Sequence, residues 1–156
     1  FEDRQLAYVQ KHLRILSAFY GVLEPMDGVT PYRLEMQAKV GIGAAKNLYD
    51  YWGERLYRSV IDDSRVIINL ASKEYSKCIE KYLTPKDTYI TVSFCELSGN
   101  KLVTKGTYAK MARGEMVRFM AEREIENPEE IRKFDRLGYT FRRDLSSESE
   151  YVFERK

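Results

Sequence analysis

Histidine and cysteine are scarce in this chain. His12 is the single histidine among 156 residues, and Cys78 and Cys95 are the two cysteines. Imidazole and thiolate are what zinc and most mononuclear transition-metal sites demand, so a site of that kind has too few donors. The cysteine spacing fits no zinc pattern, and both residues fall inside expected regular elements, where small packing side chains are the ordinary use of the residue. Long apolar runs are missing too. No window approaches the roughly 18 uninterrupted apolar residues of a membrane span, and no signal peptide is visible. Charge of one sign is not in excess: the net charge is +2. Bulk electrostatics therefore do not announce a nucleic-acid binder, and only a local patch could serve. No P-loop, nucleophile elbow or Ser-His-Asp order occurs, and Val40-Gly41-Ile42-Gly43 is too short for a dinucleotide fingerprint.

What is present is a composition of 44% hydrophobic and 32% charged residues, with 12 tyrosines. At this length the chain suits one domain with a real core, or the larger part of one. The densest information lies in HLRILSAFYGVLEPMDGVTPYRLEM, residues 12–36. Its apolar run over 14–20 predicts a buried strand, yet Arg14, Ser17, Tyr20, Glu24, Asp27, Tyr32, Arg33 and Glu35 are threaded through and beyond it. Polar groups buried without partners cost free energy, so these should pair with one another or with a ligand.

Periodicity predicts helices over 3–13, 46–61, 72–83, 108–124 and 129–137. The first carries Leu6, Val9 and Leu13 on one face, and the second Leu48, Tyr49, Trp52, Leu56 and Val60. The third is capped by Ser72 and turns Tyr75, Ile79 and Tyr82 inward. The last is capped by Asn127 with Pro128 in its first turn. Short strands are expected over 66–71, 88–97 and 101–107, the last two joined by a turn at 98–100, and a second hairpin at 138–142 and 151–154. Helices and strands alternate without a clean βαβ rhythm. The expected fold is mixed α/β, of α+β character, with a central mixed sheet and surrounding helices in a single domain.

Two constellations could carry chemistry. In the helix over 108–124, Ala109, Ala112, Met116, Phe119 and Met120 share a face, and Arg113 falls inside that apolar sector while Arg118 points away. An arginine so placed needs a carboxylate, a carbonyl or a phosphate. From 101 to 118 the chain sets Lys101, Lys105, Lys110, Arg113 and Arg118 against Glu115 alone. This is the best basic patch, and its plain alternative is a solvated face with one internal Arg–Glu pair. The second constellation is a polar pocket drawing on Arg14, Tyr20, Arg33, Glu35, Asn69 and Tyr108, with Glu35 the natural partner of either arginine if the groups serve structure alone. His12, Asp27, Glu35 and Glu74 have no recognised ligand spacing, so neither metal nor cofactor is expected.

Four motifs in register point to a family. The 12–36 run, KNLYDYWG at 46–53, VIINLASKEY at 66–75, and KGTYAKMARG at 105–114 with GYTF at 138–141 together resemble the YaaA-type peroxide stress proteins. The resemblance implies a bacterial, cytoplasmic protein of the oxidative stress response, tied to iron homeostasis by limiting free iron, and binding DNA. It also implies that this chain, which begins at Phe1 and has its first methionine at Met26, stands for the C-terminal part of such a protein. An upstream segment with a Ser-Pro-Ala-Lys strand would then be missing. A cytoplasmic home argues against a disulfide. KVGIGAAKNL, residues 39–48, mimics a helix-hairpin-helix turn whose backbone N–H groups bind a DNA phosphate. Its first helix would have to be 32–38, and the hairpin attributed to the family lies upstream of Phe1.

The resulting expectation is a protein that contacts duplex or branched DNA without sequence preference, through Lys105, Lys110, Arg113, Arg118 and Arg33. The alternative is an enzyme of unknown reaction using the polar pocket. Direct iron sequestration is disfavoured by the shortage of ligands. Composition and pattern leave the oligomeric state open.

Overall fold

The structure is a computed structural model that describes all residues, 1–156. The chain divides into two compact units, each assembled from separated segments. The first unit comprises Phe1–Lys11, Ile68–Leu70 and Tyr89–Lys156, and the second comprises His12–Ile67 and Ala71–Thr88.

In the first unit, helix α1 (Asp3–His12) precedes the long strand β4 (Thr88–Ser98), strand β5 (Lys101–Val103), helix α5 (Gly106–Glu122), strand β6 (Tyr139–Phe141) and strand β7 (Glu150–Arg155). The second unit holds strands β1 (Ile15–Ser17) and β2 (Gly21–Leu23), helices α2 (Leu48–Trp52), α3 (Arg55–Val60) and α4 (Lys73–Glu80), and the start of strand β3 (Val66–Asn69).

The five-stranded sheet runs β3-β4-β7-β6, with β5 paired to the far part of β4. Strands β4 and β7 are parallel from Thr91↔Glu150 to Glu96↔Arg155, whereas β6 is antiparallel to β7 and β5 to β4. The fold is therefore mixed α/β with a mixed central sheet, as the sequence predicts. Alternation along β4 explains its core: Ile90, Val92 and Phe94 share one face of the strand. They pack with Ala109, Ala112, Met116 and Phe119 of α5, and with Phe134, Tyr139 and Phe153. Each such large apolar side chain contributes about 1.5–3 kcal/mol on burial. The aromatic rings meet mostly edge to face; Phe94 and Tyr139 lie 5.1 Å apart at 72°.

Several sequence expectations are corrected here. The run 14–20 is not a buried strand. It gives three residues of β1, then a turn, with Ile15 and Phe19 exposed, because β1 pairs only with the equally short β2. The 46–61 helix is broken into α2 and α3 at Gly53, whose positive φ of 54° ends the first turn run. Strand β3 is half-buried rather than a core strand. Ser72 occupies the N-cap of α4 without a side-chain bond, and the helix buries Ser76, Cys78 and Ile79 rather than Tyr75 and Tyr82. Over 129–137 the chain forms a 3-10 helix, Pro128–Lys133, capped by Asn127 accepting from Glu129 N–H.

The helix-hairpin-helix reading of residues 39–48 is also overturned. Residues 32–38 contain no helix, and Ile42 and Ala45 form an isolated antiparallel bridge. The next helix is capped by Asn47, four residues past Gly43, so the Val40–Gly43 amides do not form its N-terminus.

Candidate nucleic-acid interface

Helix α5 is where the basic patch was expected, and the structure sorts its cations into two kinds. Lys105 forms an ion pair with Glu96, a largely buried carboxylate that also accepts from Arg155 Nη1 at 3.4 Å. The hydrogen bond from Lys105 and the two positive charges hold the Glu96 carboxyl below the usual carboxylate range, against the opposing effect of burial. Arg155 in turn lies 3.9 Å above the centroid of Tyr108. Arg118 pairs with Glu122 at 3.4 Å, one helical turn on. Glu115, the carboxylate nearest the patch in sequence, faces Arg136 at 3.3 Å and not Arg113.

Lys110 and Arg113 differ from these. Neither forms an ion pair, and a spacing of three makes them neighbours on the helix surface. Arg113 is half-buried, its Nε is sealed from solvent without a hydrogen-bond partner, and burial alone pulls its pKa below the ordinary arginine value. The sequence argument that this arginine needs a partner stands, and the fold supplies none. Exposed Gly114 follows it, and an added Cβ there would meet nothing within 4 Å.

The residues of the expected polar pocket fall in both units. Asn69 and Tyr108 belong to the first, and Arg14, Tyr20, Arg33 and Glu35 to the second. Asn69 is buried and donates from Nδ2 to Thr91 Oγ1 at 3.3 Å. Arg14 pairs with Glu24 at 3.5 Å and donates to the Leu13 carbonyl, so Glu24 and not Glu35 is its carboxylate. Tyr20 Oη accepts from Thr30 N–H at 2.8 Å. Ser17 Oγ accepts from Tyr20 N–H and is hydrogen-bonded to Tyr32 Oη, which ties the hydroxyl into the hairpin. Arg33 and Glu35 are exposed, and no ion pair joins them.

Sequence reasoning missed Glu96 and Arg155. The parallel register of β4 and β7 sets them side by side, and that pairing has no local signature. Cys78 and Cys95 are both buried free thiols, and burial pushes Cys78 up to about 11, far from the thiolate that peroxide oxidises. No three His, Cys, Asp or Glu side chains are grouped so as to hold a metal ion, and no helix is long and apolar enough to cross a membrane.

Comparison with known proteins fixes the kinship. The family model described as peroxide stress protein YaaA matches residues 1–145. The chain belongs to the YaaA peroxide stress family. The match is not confined to a C-terminal part, as the sequence reading had it: it starts at Phe1 and takes in most of the chain. A UPF0246 protein of Agathobacter rectalis is 83% identical over 156 residues, which is 100% of this chain and 63% of the relative. UPF0246 proteins of Lachnoclostridium phytofermentans and Desulfitobacterium hafniense are 55% and 54% identical, over 97% and 98% of this chain and 60% and 61% of their own lengths. The chain thus spans about three-fifths of the length of these curated relatives.

Proposed function

We propose that this YaaA-family chain acts in a bacterial cytoplasmic response to peroxide stress by binding DNA, duplex or branched and without sequence preference, and so limits iron-driven oxidative damage. The observation that carries the DNA reading is Arg113, a half-buried guanidinium that no carboxylate neutralises, with unpaired Lys110 beside it. A phosphodiester is a fitting counter-charge for such a guanidinium and offsets its burial penalty. Lys105 and Arg118, already paired to Glu96 and Glu122, contribute less, and Arg33 is an exposed cation of the second unit by itself. The alternative, an enzyme with a polar pocket, draws weaker support because Arg14, Tyr20 and Asn69 already have protein partners.

The test is fluorescence anisotropy of the full-length protein on a short duplex between about 50 and 200 mM salt. Arg113→Ala and Lys110→Ala should each weaken binding and reduce the slope of log affinity on log salt by about 0.9. Arg118→Ala should change either little. Salt-insensitive binding, or an Arg113→Ala protein that binds as well as wild type, would sink the proposal.

A further inference from the structure

The segment that fails as a helix-hairpin-helix builds something else. Residues 36–41 with 46, 47 and 49 wall a cleft of about 460 Å³ within the second unit, a volume in the usual range of small-molecule sites. Lys39 and Lys46 line it from either end of the Val40–Gly43 turn, and no carboxylate is among its lining residues. Neither lysine forms an ion pair with the protein. Glu74, the nearest acid in the hydrogen-bond pattern, is engaged by the Gln37 N–H at 3.2 Å.

The remaining donors and walls are also arranged. Asn47 accepts the Asp50 N–H through Oδ1 at 2.9 Å, which fixes the amide and leaves its Nδ2 hydrogens uncommitted. Tyr49 is held by donating from Oη to the Glu74 carbonyl at 2.7 Å, so it serves as wall rather than as donor. Exposed Val40 and half-buried Ala38 supply apolar surface, above the fully buried Met36. Two lysines and an amide donor beside apolar walls, with the Glu74 carboxylate behind Gln37 rather than among the lining residues, match a phosphate attached to a small organic body.

We propose that this cleft binds a phosphorylated small molecule of nucleotide size, with Lys39 and Lys46 on its phosphate and Asn47 Nδ2 as a further donor. The site lies in the second unit, shares no residue with the α5 patch, and stands whether or not that patch binds DNA. A backbone phosphate of DNA offers the same group, so the experiment separates the two sources.

The full-length protein is treated with pyridoxal 5′-phosphate and borohydride, and the labelled lysines are mapped by peptide mass spectrometry. Phosphate steers this aldehyde to lysines that already bind the group. Label should concentrate on Lys39 or Lys46 above the other lysines, fall about tenfold when AMP is present, and lose its preference when pyridoxal replaces its phosphate ester. In the Lys46→Gln and Lys39→Gln proteins, AMP binding by calorimetry should weaken about tenfold or more, with the thermal melt unchanged. Label spread evenly over surface lysines overturns the proposal. So does a cleft protected by duplex DNA but by neither AMP nor inorganic phosphate, which would make it part of a DNA surface. AMP binding untouched in both lysine variants that still fold overturns it as well.

Discussion

Arg113 occupies a helical position flanked at the right spacing by Ala109, Ala112 and Met116, all fully buried. A methionine there would keep the stem contacts and dispense with a guanidinium whose Nε has no acceptor. Replacing buried ions by apolar side chains of similar volume is often neutral or stabilising by about 1–4 kcal/mol, and most so when the ion is unpaired. Arg113→Met should therefore leave stability unchanged or raise it by about 1 kcal/mol, a rise of about 2–4 °C in Tm for a chain of this size. The same change should weaken DNA binding. Stability and function moving in opposite directions is the signature of a residue kept for a ligand. A fall of several degrees would instead assign Arg113 to the fold. Arg136 provides the contrast: it is held by Glu115 and Glu122 and lies over Phe119, so its loss should only destabilise.

At the scale of elements, two glycines show how the same substitution takes opposite signs. Gly21 opens β2 with φ at 85°, and an added Cβ would sit 2.8 Å and 2.9 Å from ring carbons of Trp52. That ring cannot yield easily, because its Nε1 donates to the Ala18 carbonyl at 2.9 Å and fastens α2 to the β1–β2 hairpin. Left-handed strain of about 1–2 kcal/mol and overpacking of about 1–3 kcal/mol make Gly21→Ala destabilising by about 2–5 kcal/mol in chemical denaturation. Gly114 sits inside α5 facing open space, so Gly114→Ala should stabilise by about 0.5–1 kcal/mol. A stabilised Gly21→Ala protein would show that the hairpin does not rest on Trp52. These elements also mark how much the sequence revealed. Long periodic segments such as α5 and β4, and the turn at 98–100 between β4 and β5, were legible because local pattern and burial agree. The 14–20 run misled because an apolar stretch reads as buried wherever it lies, while its three-residue pairing with β2 leaves Ile15 and Phe19 outside. Within the candidate site, the half-buried placement of Arg113 was legible from helical spacing. The partners that occupy Lys105 and Arg14 were not, since strand register and loop path decide them.

Over the whole molecule, the carboxylates favour the folded state in one direction of pH. Asp62, Asp87, Glu96, Glu122 and Asp144 all have pKa values held below their ordinary 3.8 or 4.5. Ser64 does this for Asp62, Lys105 for Glu96, Arg136 for Glu122 and Arg142 for Asp144, chiefly through hydrogen bonds. For Asp87 burial pushes upward, and bonds from Tyr57 Oη at 2.6 Å and Thr84 N–H at 2.8 Å, with the Arg65 charge, outweigh it. A depressed folded pKa means that the unfolded chain binds the proton first. Each group's contribution is therefore fully present above its unfolded value and is lost as pH falls through its folded value. The five are spread over both units, Asp62 and Asp87 in the second and the others in the first, so acid should weaken the molecule throughout. Tm should hold steady from neutral pH down to about 5 and fall progressively below about 4.5. Asp87→Asn should lower Tm at pH 7, because the side chain is fully buried and Arg65 loses its counter-charge, and it should make the acid fall shallower than in wild type. A Tm that rises on acidification through this range would contradict the assignment of these carboxylates as ionised and paired in the folded protein.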